Sequence, residues 1–578
     1  MITLRRNLLR HLGVLLFYAV LTVIFTFPLA LHLTDSVLGG RGDNLYFVWL
    51  TGWYEQAFFD GGGHPFFSPV MNWPEGWNLS TTDTALASVL PGAFFSNFFG
   101  PIAGYNLAMM LTFVLSGWAM YVWVRHLTKS EGAALLAGAI FAFLPYRMAH
   151  FLIGHLNLSG TQWFPLYFMG LLGMLRTEAR GWWQPAVLAA VSLGLIGFTS
   201  MYYLYMGLII TFVFILAYLI FSGFKILKQP SFWKQIGIFV VLAIPMVYAS
   251  VRYFMSLSSS GTIASRDWHY ASMYSASPTD FILPSTDHFL FGQWVGSHFN
   301  RDLWPEATLY VGFIALALLV IAIIHRKQTG QPGLVWAALT TAISAFILAL
   351  GTDLHWNAEQ VIVQVPAFLQ PLVGKSETPL LLPTYWLFNH LPFFDRMRAL
   401  SRFGLFTGIF TTLLAGLGAA VLLAHLHGRR KTLAAVVLML AVLLDFYPGS
   451  YAGSLTKIEP RPLDTWLASQ PGDGAVAMFP FEQVEEQFNI YTTLIHNKPF
   501  IGGLFNANQP PQYTYIKPTM EHFPSPKSID ILKELGITYV VVDTSAFADY
   551  PEVEAEIVRN GLRLLTEQQQ YRVYGFEE

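Results

Sequence analysis

The stretch MITLRRNLLRHLGVLLFYAVLTVIFTFPLALHLTDSVLGGRGDN, residues 1–44, decides how the rest of the chain is read. Arg5, Arg6 and Arg10 lead into an apolar run over 12–31, long enough as a helix to cross a hydrocarbon layer about 30 Å thick. The run exceeds the apolar part of a secretory signal and no small-x-small cleavage site follows it, so it reads as a retained anchor. A glycine-rich turn then delivers Asp43.

Working outward, ten further apolar segments follow at 104–124, 133–148, 162–175, 182–201, 203–221, 236–254, 308–324, 334–350, 403–426 and 433–446, giving eleven expected spans. With the N-terminus inside, Arg125, Lys129, Arg176, Arg180, Lys225, Lys228, Lys234, Arg326, Lys327 and Arg429 to Lys431 fall in alternate short loops, as the positive-inside rule requires. The long loops 32–103, 255–307 and 351–402 then share the opposite side, and an odd span count sends the C-terminus there too. The expected fold is an α-helical polytopic membrane protein with a small extracytoplasmic α/β domain: a membrane part over 1–450 and the outer domain over 451–578. Past 446 the sequence turns rich in Gly, Ser and Pro, then alternates expected strands at 475–479 and 537–542 with helices at 528–535 and 551–560 and a strand pair within 562–576.

Composition agrees. Of 578 residues 54% are hydrophobic, 16% aromatic and only 12% charged, about half the charged share of a soluble domain. Lys plus Arg (33) nearly cancel Asp plus Glu (35), so there is no cationic footprint for nucleic acid, and none is expected as a partner. Without a cysteine, thiolate nucleophiles, disulfides and thiolate metal sites are excluded. Walker A, Gly-x-Gly-x-x-Gly, HExxH and Gly-x-Ser-x-Gly motifs are missing as well, and the short inner loops leave no platform for a soluble nucleotide.

Chemistry is therefore expected in the outer loops. After Gly39-Gly40-Arg41-Gly42, Asp43 stands at the start of an aromatic stretch, 45–54, that reads as an interfacial helix, with a second over 84–99. Asp43 is either an N-cap or a carboxylate facing a ligand; Glu55, Asp60, Glu75, Asp83 and His64 share its loop with several Trp residues, a setting suited to sugars. Arg147, Arg252, Arg396, Arg398 and Arg402 mark outer ends of spans, where a guanidinium either snorkels or grips a phosphate through two parallel hydrogen bonds. His150 and His155 are five apart, not the three or four of a helical metal pair, so only a loop brings them together. Arg266-Asp267-Trp268-His269-Tyr270 forms another polar cluster.

Four passages resemble a known family. They are Gly42-Asp43, the run from Arg147 to Asn157, the run from Tyr274 through Asp280 to Ser285, and Pro392-Phe-Phe-Asp-Arg396-Met-Arg398-Ala-Leu-Ser-Arg402-Phe. Together with the topology over roughly 10–450 they resemble the polytopic GT-C glycosyltransferases that use polyprenyl-phosphate-linked sugars, and within them the bacterial YfhO-like membrane proteins. The resemblance implies transfer of a hexosyl or pentosyl group, with inversion, from a polyprenyl-phosphate carrier to a glycan, lipid or protein acceptor outside the cell membrane. It implies Asp43 as general base and an Arg from the set above at the leaving phosphate, while His150, His155, Asp83 and Asp267 are expected in the substrate site from the loop residues themselves. Asp287 joins Asp83 and Asp267 as a reserve acid. No Asp-x-Asp or Glu-x-Asp appears in the outer loops, so no metal ligands are assigned and a divalent cation, Mg or Mn, stays open as cofactor. The rival classes are a transporter or flippase of lipid-linked sugars, whose polar groups belong at midplane in repeated broken helices, and a noncatalytic envelope assembly protein.

Overall fold

The computed structural model describes residues 2–82, 84–176, 181–259, 265–301, 303–368, 370–482, 486–505 and 509–576. Among them seven helices are long and apolar enough to cross a membrane: Arg5–Phe25, Pro101–Thr128, Glu131–Leu152, Met201–Ser222, Pro230–Arg252, Pro332–Ala349 and Leu400–Ala424. Three more, Leu86–Phe99, Gln184–Thr199 and Phe313–Ile324, are apolar but shorter. The protein is a multi-pass membrane protein. The count differs from the eleven expected because hydropathy windows register apolar length, whereas several such segments fold as short helices: Trp163–Arg176 has 14 residues and Phe313–Ile324 has 12.

Close approach of helices, rather than hydrophobic segregation, packs such a bundle, since lipid is as apolar as leucine. Gly138 shows why small residues are needed: a Cβ there would lie 1.9 Å from the Tyr18 hydroxyl and 2.4 Å from the Gly117 carbonyl oxygen. Tyr18 instead donates to the Leu135 carbonyl at 2.9 Å, tying the first helix to the third. Lipid-facing side chains such as Leu8, Leu16, Val241, Ile244 and Tyr248 stay exposed on the outer helices.

The stretch expected as an interfacial helix is instead a buried one. Helix Asp43–Glu55 is enclosed from Asn44 to Tyr54, packed between Leu86–Phe99, Pro101–Thr128 and Glu486–His496. A helix apolar on every side belongs inside a protein rather than at a headgroup plane. Its neighbour Leu86–Phe99 does expose Phe94, Phe98 and Phe99 along one side.

Beyond the last bundle helix, Gly428–Phe446, strand Leu455–Lys457 pairs antiparallel with Ser36–Leu38 of the first long loop, Ser36 opposite Lys457 and Leu38 opposite Leu455. A four-stranded sheet follows, ordered Leu562–Gln568, Tyr571–Phe576, Ile537–Asp543, Ala475–Phe479, with only the last pair parallel. Trp49 donates to the Thr493 hydroxyl at 3.0 Å and Trp73 to the Leu535 carbonyl at 2.9 Å, so the first long loop and the C-terminal segment form one surface. The second and third long loops meet each other where Arg266 N donates to the Asp395 carbonyl at 2.9 Å.

Candidate active site

The Asp43 backbone is set by the turn before it. Asn44 accepts from Gly42 N at 3.1 Å and donates to the Gly40 carbonyl at 2.8 Å, fixing residues 40–44 as a tight hook. Gly42, not Asp43, is the N-cap, and no side chain caps the helix, so the Asp43 carboxylate is not spent on its own helix. It bonds across the chain instead: Oδ2 lies 3.1 Å from His155 Nε2, with the Asp43 side chain 33% exposed and that of His155 18%.

His155 arrives through a turn that needs glycine. Helix Pro145–Leu152 ends, Gly154 adopts φ +81, and His155 N closes the turn on the His150 carbonyl at 2.9 Å. A Cβ on Gly154 would lie 2.2 Å from Asn44 N, and one on Gly39, at φ +85, would overlap the Leu152 carbonyl. The two hooks therefore interlock glycine against backbone, which is what presses His155 on Asp43. The same turn puts His150 Nδ1 2.9 Å from His155 Nδ1, the loop closure that a spacing of five demanded. His150 is fully buried, with the Tyr146 ring edge-on at 4.4 Å.

Below this pair lies an ion pair that sequence reading missed. Glu306, in the short helix Trp304–Ala307 of the second long loop, accepts from Arg402 Nε at 2.9 Å and Nη2 at 2.6 Å on one oxygen, and from the Ser401 hydroxyl at 3.0 Å on the other. Burial alone would raise its pKa, but Arg402 overrides burial and holds the carboxyl down at about 2. Glu306 and Arg402 both lie within electrostatic reach of His150. The signal was a lone acid just before the apolar segment at 308–324, where a buried carboxylate without a partner is costly.

The structure sorts the five expected arginines. Arg147 is fully buried and donates to the Ala142 carbonyl, to the Ser159 carbonyl at 3.0 Å and to the Thr112 hydroxyl at 3.3 Å, with Phe113 stacked at 4.2 Å. It braces the turn carrying the histidines and does not face a phosphate. Arg402 is neutralised by Glu306. Arg396 and Arg398 are half-buried, Arg398 over the Tyr274 ring at 4.7 Å, and Arg252 is exposed. Arg396 lines a cleft of about 530 Å³ between the second and third loops with Arg266, Asp267, Trp268, His390 and Asp395; Asp43 is not part of that lining. Asp267 is exposed and caps helix Trp268–Ser272, accepting from His269 N at 2.7 Å. Asp83 lies outside the described residues, and Asp287 is part-buried against the Ser285 hydroxyl at 3.3 Å.

A hard divalent cation such as Mg takes several oxygen ligands. Among the described residues no group of three or more His, Asp or Glu side chains is arranged to hold one. Asp43 has His155 for its neighbour and Glu306 is matched by Arg402, so this donor set does not fit such an ion.

Residues 12–375 match the family described as Domain of unknown function (DUF6311). No curated protein matches the sequence. Among solved structures the chain is similar to the arabinofuranosyltransferase AftD from Mycobacteria, at 13% identity and TM-score 0.58, over 98% of this chain and 40% of that one. The chain thus spans well under half of that relative's length. It is also similar to the oligosaccharyltransferase AglB of Archaeoglobus fulgidus, solved with an inhibitory peptide and a dolichol-phosphate (14% identity, TM-score 0.49, 98% of this chain and 74% of that one). A third is ArnT of Cupriavidus metallidurans bound to undecaprenyl phosphate (10% identity, TM-score 0.46, 98% and 97%). At these identities the likeness to AftD is one of fold, and the fold is that of the GT-C glycosyltransferases.

Proposed function

The chain belongs to the DUF6311 family, which carries no assigned function, and from the site itself we propose an integral membrane glycosyltransferase that moves a sugar from a polyprenyl-phosphate carrier to an acceptor hydroxyl on the extracytoplasmic side. One observation carries this reading: Asp43 sits at a helix N-terminus without capping it, one oxygen held by His155 and the side chain a third exposed. A carboxylate so placed is oriented and reachable, which is what a general base needs.

In the proposed step Asp43 Oδ1 takes the proton from the acceptor hydroxyl while that oxygen bonds to the anomeric carbon. The bond from that carbon to the phosphate oxygen breaks, the polyprenyl phosphate leaves with the electron pair, and a single displacement inverts the centre. The reading assigns the growing phosphate charge to Arg396 and Arg398, both half-buried, since Arg147 is enclosed against carbonyls and Arg402 against Glu306. The membrane part, 1–450, would hold the donor and the segment 451–578 would cover the acceptor side. Which sugar and which acceptor are matters of the chemistry supplied.

The test is transfer from a panel of polyprenyl-phosphate sugars by protein purified with its native lipids. Asp43→Asn is expected to lower turnover by roughly 10² to 10⁴ with the fold intact. Equal turnover by both proteins removes Asp43 as base; labelled lipid crossing a vesicle bilayer without sugar transfer makes the protein a flippase.

A further inference from the structure

The contact between the two histidines fixes more than their separation. If Asp43 is to act as a base it is an anion, and the His155 Nε2 that meets its Oδ2 at 3.1 Å must carry the proton and donate. A neutral His155 then presents a bare lone pair at Nδ1, and the group facing that lone pair at 2.9 Å is His150 Nδ1, which must be the donor in turn. His150 is left with its lone pair at Nε2, and that atom is buried with no hydrogen-bond partner among the described residues. Every hydrogen bond in the row thus points toward Asp43. The opposite tautomers would aim a His155 lone pair at the carboxylate and would require Asp43 to be protonated, which disables it as a base.

We propose that His150 is a positioning residue: by donating from Nδ1 it locks His155 in the Nε2–H tautomer, and through His155 it keeps Asp43 ionised with Oδ1 turned to the acceptor. The inference rests on the reading of Asp43 as general base and adds the group that sets its proton state. His150 touches no substrate. It is enclosed by helix Pro145–Leu152 and by Trp304–Ala307, so its own tautomer is insulated from bulk water. The charged groups facing the row are Asp43 from the first loop, Glu306 from the second and Arg402 from the third, with Tyr105 near Asp43 and Tyr146 against His150. Glu306 and Arg402 cancel each other, which leaves the tautomer of the row to the hydrogen bonds.

Two measurements test this independently of each other. Protein labelled with ¹⁵N at histidine, in detergent at neutral pH, should show one ring, lost in His155→Gln, in the Nε2–H form. In His150→Leu that ring should shift toward the Nδ1–H form, while His150→Asn, whose amide nitrogen can donate from nearly the place of Nδ1, should retain Nε2–H. The second measurement is the pH profile of sugar transfer. His150→Leu should move the acidic limb of kcat/KM upward by about one pH unit, a tenfold loss at fixed pH below the limb, with the KM for the donor unchanged; His150→Asn should restore the wild-type limb. A His155 ring found as Nδ1–H in wild type overturns the proposal, and so does identical behaviour of the Leu and Asn variants. A wild type that keeps the expected tautomer but transfers no sugar overturns the glycosyltransferase reading instead. Should the Leu variant not fold, the wild-type tautomer and the Asn variant still decide.

Discussion

The second long loop and the C-terminal segment each enclose a glutamate carboxyl, and the two are held in opposite states. Glu306 meets Arg402 and Ser401 and is held down at about 2. Glu486, in helix Glu486–His496, is pushed up to about 8, first by burial and then by the nearby Glu482; its Oε2 has no partner among the described residues. Burial raises both, and at Glu306 the Arg402 guanidinium at bonding distance reverses the sign. The first region is therefore built around a fixed charge pair beside the histidine row, whereas the second keeps an acid that is neutral at pH 7. Preorganised charge belongs next to a reacting centre.

The sharpest way to break this contrast is to give Glu306 the isolation of Glu486. Arg402→Leu leaves a buried carboxylate uncompensated and should cost about 3–5 kcal/mol, read from the unfolding midpoint in detergent, with Arg402→Leu/Glu306→Leu recovering most of it. A variant that loses nothing would mean that the pair is not enclosed. Next in size is the interlock that holds the histidine turn on the first loop. Gly154→Ala strains a positive φ and drives a Cβ into Asn44, for a loss of roughly 1–3 kcal/mol and abolished transfer, because His155 is pushed off Asp43. Unchanged activity would uncouple the turn from the site.

The gentlest comparison is in pH. Glu306 has a depressed pKa, so its contribution is present above the unfolded value of 4.5 and is lost as pH falls through about 2. Glu486 has a raised one, so its contribution is present below 4.5 and is lost as pH rises through about 8. Each sloping arm is at most about 1.4 kcal/mol per pH unit. Glu486→Gln should flatten the alkaline arm, and Arg402→Leu/Glu306→Leu the acid arm, in thermal unfolding followed from pH 3 to pH 9. Arms that stay unchanged would show that other carboxylates dominate.

Much of the bundle was legible because lipid imposes a length and a polarity on each span, and both are properties of contiguous residues. The anchor at 12–31 became helix Ile2–Phe25, and the strands expected at 475–479 and 537–542 became Ala475–Phe479 and Ile537–Asp543. The buried character of Asp43–Glu55 is present as well, in a stretch apolar on every side, but its aromatic content suits a membrane interface equally. Glu306 could not be tied to Arg402 from sequence, since 96 residues separate them and nothing local marks the pair.

By itself the chain determined that it crosses the membrane many times and that Asp43 stands where a helix begins, because hydropathy and capping chemistry act over neighbouring residues. Tertiary structure alone decided which of five arginines are consumed by carbonyls or by Glu306, and that His150 and His155 line up behind Asp43. Those outcomes depend on Gly39 and Gly154 letting two distant turns close to backbone contact, a property of shape that no local pattern encodes.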